Sequence, residues 1–220
     1  MMKLTYFNGK GMAETSRILL AAAGVEYEDF RYPLKINSWA TYDFTRDEFD
    51  KDKADGKLWK SMGKVPFLEV DGKTICQSKA IERYIASRYN LMGSNLEDSA
   101  IIDSYCECLR DFKTAYHNEK KKPDKETAMN KWFNELLVNK LEVFDSIVSN
   151  KGSDMSGYSV GNQLSLADIS IYTFLVEYFD NKDGVLKAYE NCPKLKTIVK
   201  TVDDNEKIKK WIETRPVGSY

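Results

Sequence analysis

A tyrosine near the start of the chain stands where a short apolar stretch meets a glycine-containing loop. Tyr6 lies in a strand predicted over residues 4–7, and Gly9 and Gly11 follow before a helix predicted over residues 13–23. A phenol at a strand end, beside loop amides and a helix N-terminus, can donate a hydrogen bond to an anion held there. One such anion is a thiolate, whose population at neutral pH rises when a donor stabilises it. The alternative is a core tyrosine without a chemical role.

Val65 and Pro66 form a second candidate feature, at the start of another predicted strand. The residue before a proline is held extended, and a proline is tolerated at a strand start, where its missing N–H is not needed. If the Val65–Pro66 bond is cis, the Val65 N–H and C=O face outward and can pair with an extended, peptide-like ligand. Otherwise Pro66 only begins the strand.

Gln77 and Ser78 form a third candidate feature, at the start of a predicted helix. Ser78 is predicted to be the N-cap, and its backbone N–H and hydroxyl, together with the helix dipole, can receive a carboxylate. Gln77 offers an amide donor and acceptor beside it. The alternative is a helix cap that binds no ligand.

The composition excludes several classes of function. The chain of 220 residues carries 33 Lys and Arg against 34 Asp and Glu, so its net charge of -1 favours neither nucleic acid nor a membrane surface as partner. A single histidine, His117, argues against zinc sites built on histidine, and we expect no metal. Four cysteines without a CxxC motif predict reduced thiols. We find neither a secretory signal nor a membrane segment, which predicts a cytoplasmic protein.

The three candidate features require a scaffold of short strands and helices. The predicted strands are residues 4–7, 25–32, 65–70 and 73–76. Gly24 ends the first helix, and Asp71-Gly72 predicts a tight hairpin turn between the last two strands. Residues 33–60 are predicted to form a long loop with one or two helical turns. The predicted order is β-α-β, long loop, β-β-α.

The second half of the chain predicts helices only. After a linker over residues 90–95, apolar residues recur at helical spacing over residues 101–116 and 132–148. Ser165 and Asp168 predict a capping box at the start of a buried helix. Shorter helices are predicted over residues 185–189, 193–202 and 206–211. We therefore expect an all-α second domain.

Four segments occur in an order and spacing that resemble one known family. They are LTYFNGKGMAE, GKVPFLEVDG, QSKAIERYIA and LSLADI. Together they resemble the cytosolic glutathione transferases, most closely the sigma class, which includes haematopoietic prostaglandin D synthase and the S-crystallins. The resemblance implies a thioredoxin-like, glutathione-binding domain at residues 1–89 and an all-α domain with a second-substrate pocket at residues 96–220. It also implies a homodimer and no cofactor beyond glutathione.

The resemblance assigns roles to the three candidate features. Tyr6 is implied to be the catalytic hydroxyl. The Val65 backbone, before a cis Pro66, is implied to pair with the cysteinyl part of glutathione. Gln77 and Ser78 are implied to hold the γ-glutamyl carboxylate.

Further binding residues follow from the same resemblance. Lys57 stands where the family lysine binds the glycine carboxylate of glutathione, although Lys60 is close enough to compete. Lys64 is also implied to bind glutathione. Trp39 is the implied counterpart of a family tryptophan if the loop between it and Lys57 is enlarged by an insertion, which surface loops tolerate. Asp111 matches an acidic residue that reaches the glutathione amino group of the partner subunit.

Two positions depart from the sigma-class pattern. Met12 stands where these enzymes commonly carry an arginine that helps to activate the thiol, and a thioether cannot supply that positive potential. Asn118 lies near the position of a tryptophan that lines the second-substrate pocket of the prostaglandin synthase. Asn118 therefore argues against a simple transfer of that activity.

The expected reaction is attack of the glutathione thiolate, formed beside Tyr6, on a small hydrophobic electrophile. Met12 and residues 105–116 are expected in the wall of an apolar pocket, and positioning with thiolate stabilisation suffices for reactive substrates. The alternatives are a glutathione-dependent isomerase of prostaglandin-type peroxides and a catalytically weak binding or structural protein. A thioredoxin or glutaredoxin is disfavoured because no cysteine follows the first strand. Ser16 lies too far into the first helix to replace Tyr6.

Overall fold

A computed structural model describes residues 1–38, 43–149, 157–216 and 218. It divides into two compact units, one of Met1–Ile85 with Lys207–Tyr220 and the other of Ala86–Glu206. Within the described ranges, no helix is both long enough and apolar enough to cross a membrane.

The first unit opens with a βαβ arrangement. β1 (Lys3–Phe7) and β2 (Glu28–Tyr32) pair in parallel, and α1 (Glu14–Ala23) connects them after a 3-10 turn at Gly11–Ala13. Gly24 ends α1 in the left-handed conformation, with φ 69°, which carries no steric penalty for a residue without Cβ. The prediction is confirmed, although β2 is shorter than expected.

The stretch over residues 33–60 contains more regular structure than the predicted loop. It holds β3 (Lys35–Ser38), β4 (Asp43–Thr45), α2 (Asp47–Ala54) and a 3-10 turn (Trp59–Ser61). The helical turns match the prediction, whereas the β3–β4 hairpin corrects it. Ile36 and Phe44, which pair in this hairpin, are its only large apolar side chains among the described residues, too few to produce a recognisable strand period.

Two further strands complete a four-stranded sheet. β5 (Phe67–Val70) and β6 (Lys73–Cys76) are antiparallel, and the strand order is β2-β1-β5-β6. Asp71 and Gly72 between them have φ angles of 50° and 75°, as a two-residue type I′ turn requires. The predicted hairpin is therefore confirmed, and α3 (Ser78–Arg88) follows it.

An aromatic cluster packs α2 against one face of the sheet. Tyr32, Phe49, Leu58 and Phe67 form its buried core. The Phe49 ring centroid lies 5.0 Å from that of Phe7 and 5.5 Å from that of Tyr32, both edge to face. Such pairs contribute about 0.5–1.5 kcal/mol each beyond the area that they bury. The cluster thus anchors α2 to the sheet.

The described part of the second unit is helical, as predicted. Its helices are α4 (Leu96–Lys120), α5 (Lys125–Lys131), α6 (Leu137–Ser149), α7 (Leu166–Tyr172), α8 (Lys182–Ala188) and α9 (Pro193–Asp203). Two π-helical segments, Trp132–Leu136 and Thr173–Glu177, continue α5 and α7. α10 (Glu206–Thr214) begins in this unit, but its residues from Lys207 onward belong to the first unit.

A capping box starts α7, as the sequence predicts. Ser165 Oγ accepts a hydrogen bond from the Asp168 amide at 3.4 Å, and the Asp168 carboxylate accepts one from the Ser165 amide at 2.8 Å. The same carboxylate accepts the Ser159 amide at 2.6 Å. Since all three residues are fully buried, this carboxylate satisfies donors that water cannot reach.

Candidate active site

Tyr6, Pro66 and Gln77 lie at the same end of three neighbouring strands, and together they are called the Tyr6 row. Thr5 of β1 pairs with Phe67 of β5, so the adjoining residues Tyr6 and Pro66 lie at one end of this pair. Phe67 also pairs with Cys76 of β6, and Gln77 follows Cys76 at that same end. The sheet therefore brings together one residue from each of the three candidate features that the sequence indicates.

The Val65–Pro66 peptide bond is cis, the isomer implied by the family resemblance. Pro66 is buried and Val65 is half-buried at the entrance to β5. Lys64 is exposed, and its backbone N–H donates to the Ser61 carbonyl at 3.1 Å, which holds the segment before Val65 against the preceding turn. The hydrogen bond from Lys64 to Ser61 thus holds the backbone immediately before Val65 in place.

The Tyr6 hydroxyl lies against the loop that follows β1. The Met12 backbone N–H donates to the hydroxyl oxygen at 3.2 Å. Gly11 passes so close that a Cβ built on it would lie 2.5 Å from this oxygen, and its φ of 39° is in the left-handed region. Both the contact and the backbone conformation require glycine here. Because the oxygen accepts the Met12 bond, its own proton remains available for donation.

Burial keeps the Tyr6 hydroxyl protonated. The side chain is 8% exposed, and this burial raises the pKa of Tyr6 above its ordinary value of 10.0. The Met12 amide and the nearby Arg17 charge lower the pKa but do not outweigh the burial. Tyr6 is therefore a neutral hydrogen-bond donor at physiological pH.

Gln77 and Ser78 take different places from those predicted. The Gln77 carbonyl accepts the Ile81 amide at 3.0 Å and α3 begins at Ser78, so Gln77 and not Ser78 occupies the N-cap position. Gln77 is exposed and has a φ of 72°, an uncommon conformation for a residue with a Cβ. Ser78 is buried in the first turn of the helix. The sequence could not identify this shift because serine is the stronger capping residue.

Lys57 forms an ion pair on the surface. Its Nζ lies 2.6 Å from Asp52 Oδ1 and 3.8 Å from Asp55 Oδ2. Asp52 also accepts the Tyr32 hydroxyl at 2.9 Å. The hydrogen bonds from Lys57 and Tyr32 lower the pKa of Asp52, and the bond to Asp52 raises the pKa of Lys57, so both groups stay charged. A carboxylate ligand of Lys57 must therefore compete with Asp52.

A cavity of about 230 Å³ opens on the sheet face opposite the Tyr6 side chain. Its wall includes Thr5, which is next to Tyr6 in β1 and so projects to the other face. Of the predicted site residues that the structure describes, Lys57 lines this cavity, and so does its competitor Lys60. The cavity is therefore separate from the row that contains Tyr6. The hydroxyl group proposed to donate a hydrogen bond, that of Tyr6, lies in the row and does not line the cavity.

Two family profiles match the chain. The profile for the glutathione S-transferase N-terminal domain matches residues 2–87, and the profile for the C-terminal domain matches residues 107–215. Glutathione S-transferase A3 of Mus musculus is 34% identical over 212 residues, covering 96% of this chain and 87% of that protein. The chain belongs to the glutathione S-transferase family.

Solved structures related to this transferase family share the fold. Na-GST-3, a glutathione S-transferase of Necator americanus, superposes with a TM-score of 0.79 at 30% identity, covering 100% of this chain and 99% of that one. Prostaglandin synthase D of Nilaparvata lugens superposes with a TM-score of 0.77 at 30% identity, covering 99% of each chain. The predicted thioredoxin-like domain followed by a helical domain is confirmed.

Of the remaining residues implied by the transferase resemblance, the structure describes Asp111 and Lys60 but not Trp39. Asp111 is exposed on α4 in the second unit. Lys60, the competitor of Lys57, is exposed, with its ammonium 5.9 Å from the Trp59 ring centroid. Trp39 lies outside the residues that the structure describes. The glutathione-binding roles of Asp111, Lys57 and Trp39 stay predictions.

Met12 contributes a backbone group, and its side chain points to solvent. The side chain is 60% exposed, whereas the amide N–H bonds to Tyr6. Nothing in the thioether supplies the positive charge of the arginine common in sigma-class transferases.

Arg17 is a site residue that the sequence reasoning missed. It is fully buried in α1, and its guanidinium carbon lies 5.9 Å from the Tyr6 ring centroid. Its Nη1 donates to the Gly9 carbonyl at 2.6 Å. The available signal was Glu14 three residues earlier, since an acidic and a basic residue at this spacing share one helix face.

The described residues offer no metal centre. Among them, no group of three or more His, Cys, Asp and Glu side chains could hold a metal ion. In the family, glutathione is the co-substrate and no other cofactor is required.

Proposed function

We propose that this protein conjugates the glutathione thiolate to small hydrophobic electrophiles. The observation that carries the proposal is the bonding of Tyr6, whose hydroxyl oxygen accepts the Met12 amide and whose proton is free to donate. The position of this hydroxyl in one row with Pro66 and Gln77 supports the proposal further. Family membership supports the same reaction class.

The proposed reaction begins with loss of the glutathione thiol proton to solvent. The Tyr6 hydroxyl donates a hydrogen bond to the resulting sulfur anion, which lowers the free energy of the thiolate relative to the thiol. The sulfur lone pair then forms a bond to the electrophilic carbon. In a substitution the leaving group departs with the electrons of its own bond, whereas in an addition the carbanion takes a proton from solvent.

The proposed glutathione contacts follow the row across the sheet. The Val65 backbone, after Lys64 and before Pro66, would pair with the extended cysteinyl part. The first turn of α3 would receive the γ-glutamyl carboxylate, where the buried Ser78 lies and the helix dipole favours an anion. We propose Gln77 as an amide partner of the same carboxylate.

Three further contacts complete the proposal. Lys57 would bind the glycine carboxylate in competition with Asp52, and Trp39 would lie beside it. Asp111 would reach the glutathione amino group of a partner subunit. The functional division proposed is a glutathione-binding domain at residues 1–89 and a second-substrate domain at residues 96–220, with α10 packed in the first unit.

The class within the family is part of the proposal. We assign the chain to the sigma class on the four sequence segments, and the likeness to a prostaglandin synthase of Nilaparvata lugens supports this. Curated relatives of the chain include alpha-class enzymes, so the class is open to test. A panel of substrates characteristic of each class would decide between the two.

Isomerisation of a prostaglandin-type peroxide is the second candidate reaction, favoured by the same Nilaparvata lugens structure. In an isomerisation glutathione is regenerated, whereas conjugation consumes one glutathione for each electrophile. Measuring thiol consumption against product formation therefore separates the two reactions. Asn118, in place of a pocket tryptophan, leads us to rank conjugation first.

A catalytically weak binding or structural protein is the non-enzymatic alternative. The uncharged side chain of Met12 favours this alternative, because it cannot stabilise a thiolate. The buried Arg17 cation beside Tyr6 opposes it. Glutathione binding without turnover would be the experimental result expected for a carrier.

We propose a cytoplasmic homodimer that acts in detoxification. The exposed Trp59 and Met62 side chains, 73% and 69% accessible, provide apolar surface that a second copy could cover. The related Na-GST-3 structure is described as monomeric, so the homodimer proposed here requires a direct measurement. Light scattering coupled to gel filtration would determine the oligomeric state directly.

The test of conjugation compares wild type with Tyr6→Phe in steady-state coupling of glutathione to a generic aromatic halide. We expect the activity of Tyr6→Phe to fall at least about tenfold, a loss of about 1.4 kcal/mol in transition-state stabilisation. The half-buried Tyr89, changed to Phe, provides the matched control and should retain activity. Absence of both binding and turnover in wild type would overturn the proposed function.

A further inference from the structure

Trp211 in α10 and Arg215 just after this helix hold a buried carboxylate at the start of α1. Trp211 Nε1 donates to Glu14 Oε1 at 3.1 Å, and Arg215 Nη1 donates to the same oxygen at 2.7 Å. Glu14 is 2% exposed, and the Arg215 side chain is 12% exposed. These contacts join residues 197 and 201 positions apart in the sequence. Both lie within the first compact unit.

The second oxygen of Glu14 faces Arg17. Arg17 Nη1 lies 3.4 Å from Glu14 Oε2, and neither side chain has appreciable exposure. Arg17 Nε also donates to Asp29 at 3.2 Å, so two carboxylates balance its buried charge. Because Arg17 and Glu14 are shielded from water, movement of the Glu14 carboxylate changes the position and the field of the guanidinium.

Arg17 in turn holds the loop after β1. It donates to the carbonyl of Gly9 at 2.6 Å and to that of Phe7 at 3.5 Å. The same loop continues into Gly11, against which the Tyr6 hydroxyl packs, and into Met12, whose amide bonds to it. A continuous set of contacts therefore runs from α10 to the Tyr6 hydroxyl.

We infer that α10 and the residue that follows it act on the active site, because Trp211 and Arg215 position the Tyr6 hydroxyl through Glu14, Arg17 and the loop after β1. This inference rests on the proposed function of Tyr6. Trp211, Arg215 and Glu14 are positioning residues, since they act through other groups. Arg17 supplies a positive charge 5.9 Å from the centroid of the Tyr6 ring.

The arrangement compensates for the departure at Met12. A cation 5.9 Å from the Tyr6 ring stabilises negative charge near the hydroxyl, including that of a thiolate that Tyr6 contacts. The charged groups that face this region are Arg17 and Glu14 from α1, Asp29 and Arg31 from β2, and Arg215 after α10. If Arg215 is removed, Glu14 interacts more strongly with Arg17, and the field of Arg17 at Tyr6 weakens.

The experiment uses variants that keep the fold of the full chain. Trp211→Phe keeps an aromatic side chain and removes the N–H donor to Glu14, and Arg215→Met removes the charge. Arg215→Lys is the rescue variant, and exposed Lys209→Ala on the same helix is the matched control. We would measure kcat and KM for glutathione conjugation, the glutathione Kd by calorimetry, and the pH profile of kcat.

We expect kcat of Trp211→Phe and Arg215→Met to fall about fivefold or more, because a small misplacement of a catalytic group has large effects on rate. The glutathione Kd should stay within about twofold of wild type, since the binding segments are intact. The pH profile should move to higher pH, and Arg215→Lys should recover part of the loss.

Two results would overturn the inference. The first is unchanged kcat and an unchanged pH profile in both variants while wild-type activity depends on Tyr6. The second is a lower melting temperature with wild-type kcat per folded molecule, which would limit α10 to a structural role. If wild type itself shows no Tyr6-dependent turnover, the proposed function has failed rather than the link to α10.

Discussion

The Met12 backbone amide donates to the Tyr6 hydroxyl oxygen at 3.2 Å, and this bond sets the direction in which the phenol can act. With one lone pair of the oxygen occupied by the amide, the hydroxyl proton is available to another acceptor. Burial keeps that proton in place by raising the pKa of Tyr6. The loop after β1 thus prepares a neutral donor and not a phenolate base.

The close approach of Gly11 to Tyr6 predicts a specific effect of Gly11→Ala. Its Cβ would lie 2.5 Å from the hydroxyl oxygen, so the loop and the hydroxyl must separate. We expect conjugation activity to fall about tenfold or more, because the donor is displaced from the thiolate. Gly56→Ala is the matched control, with φ 74° but no atom within 4 Å of its Cβ. Equal losses of activity in both variants would show that backbone strain alone is responsible.

Arg17→Met should be strongly destabilising. It removes the buried cation that faces the Glu14 carboxylate, which is 2% exposed, and the Asp29 carboxylate, which is 17% exposed. Breaking a buried ion pair costs about 3–5 kcal/mol. Urea unfolding would measure the loss. Arg46→Met breaks a pair with Asp50 in which the side chains are 40% and 51% exposed, and it should cost under about 1 kcal/mol. Similar losses for the two variants would contradict the importance of burial at Arg17.

Asp52→Asn should tighten glutathione binding. The change removes the charge that holds Lys57 at 2.6 Å and leaves the ammonium available to a ligand carboxylate. Calorimetry should show a Kd lower by about two- to fivefold, the size expected for one exposed ion pair. Lys57→Ala should abolish the gain in the double variant, and the exposed Asp47→Asn should leave Kd unchanged. An unchanged Kd in Asp52→Asn would argue against Lys57 as a glutathione contact.

Asp168→Ala should weaken the second unit by about 2–4 kcal/mol, since it removes a helix cap and leaves buried amide donors without a partner. The amides concerned belong to Ser159 and Ser165. Asp124→Ala removes the exposed cap of α5 and serves as the comparison. Thermal or urea unfolding should show a clearly smaller loss for Asp124→Ala, because water can replace that carboxylate. Equal losses would contradict the explanation from burial.

Local signals in the sequence identify most of the fold. Gly24 after α1, Asp71-Gly72 in the hairpin and the Ser165–Asp168 capping box each act through nearby backbone, so their residue types predict the structure directly. The β3–β4 hairpin lacks such a signal, because its described strands are mostly polar. Its missing apolar period explains why a loop was predicted.

The candidate site is less predictable where it depends on distant contacts. Tyr6, Pro66 and Gln77 carry local signals, and the strand register then brings them into one row. The link from Arg215 to Glu14 spans 201 positions, and no local pattern in either segment indicates it. The pairing of Lys57 with Asp52 likewise depends on how the chain turns after α2. Such contacts require the three-dimensional structure.

Stabilisation of the glutathione thiolate by the Tyr6 hydroxyl is the central claim, and titration of bound glutathione tests it most directly. The ultraviolet absorbance of the thiolate, followed against pH in the complex, gives the pKa of the bound thiol. In wild type we expect this pKa to lie at least about one unit below the ordinary thiol value of about 8.5, and in Tyr6→Phe to return towards it. The same pKa in both proteins, with glutathione bound in each, would contradict the claim.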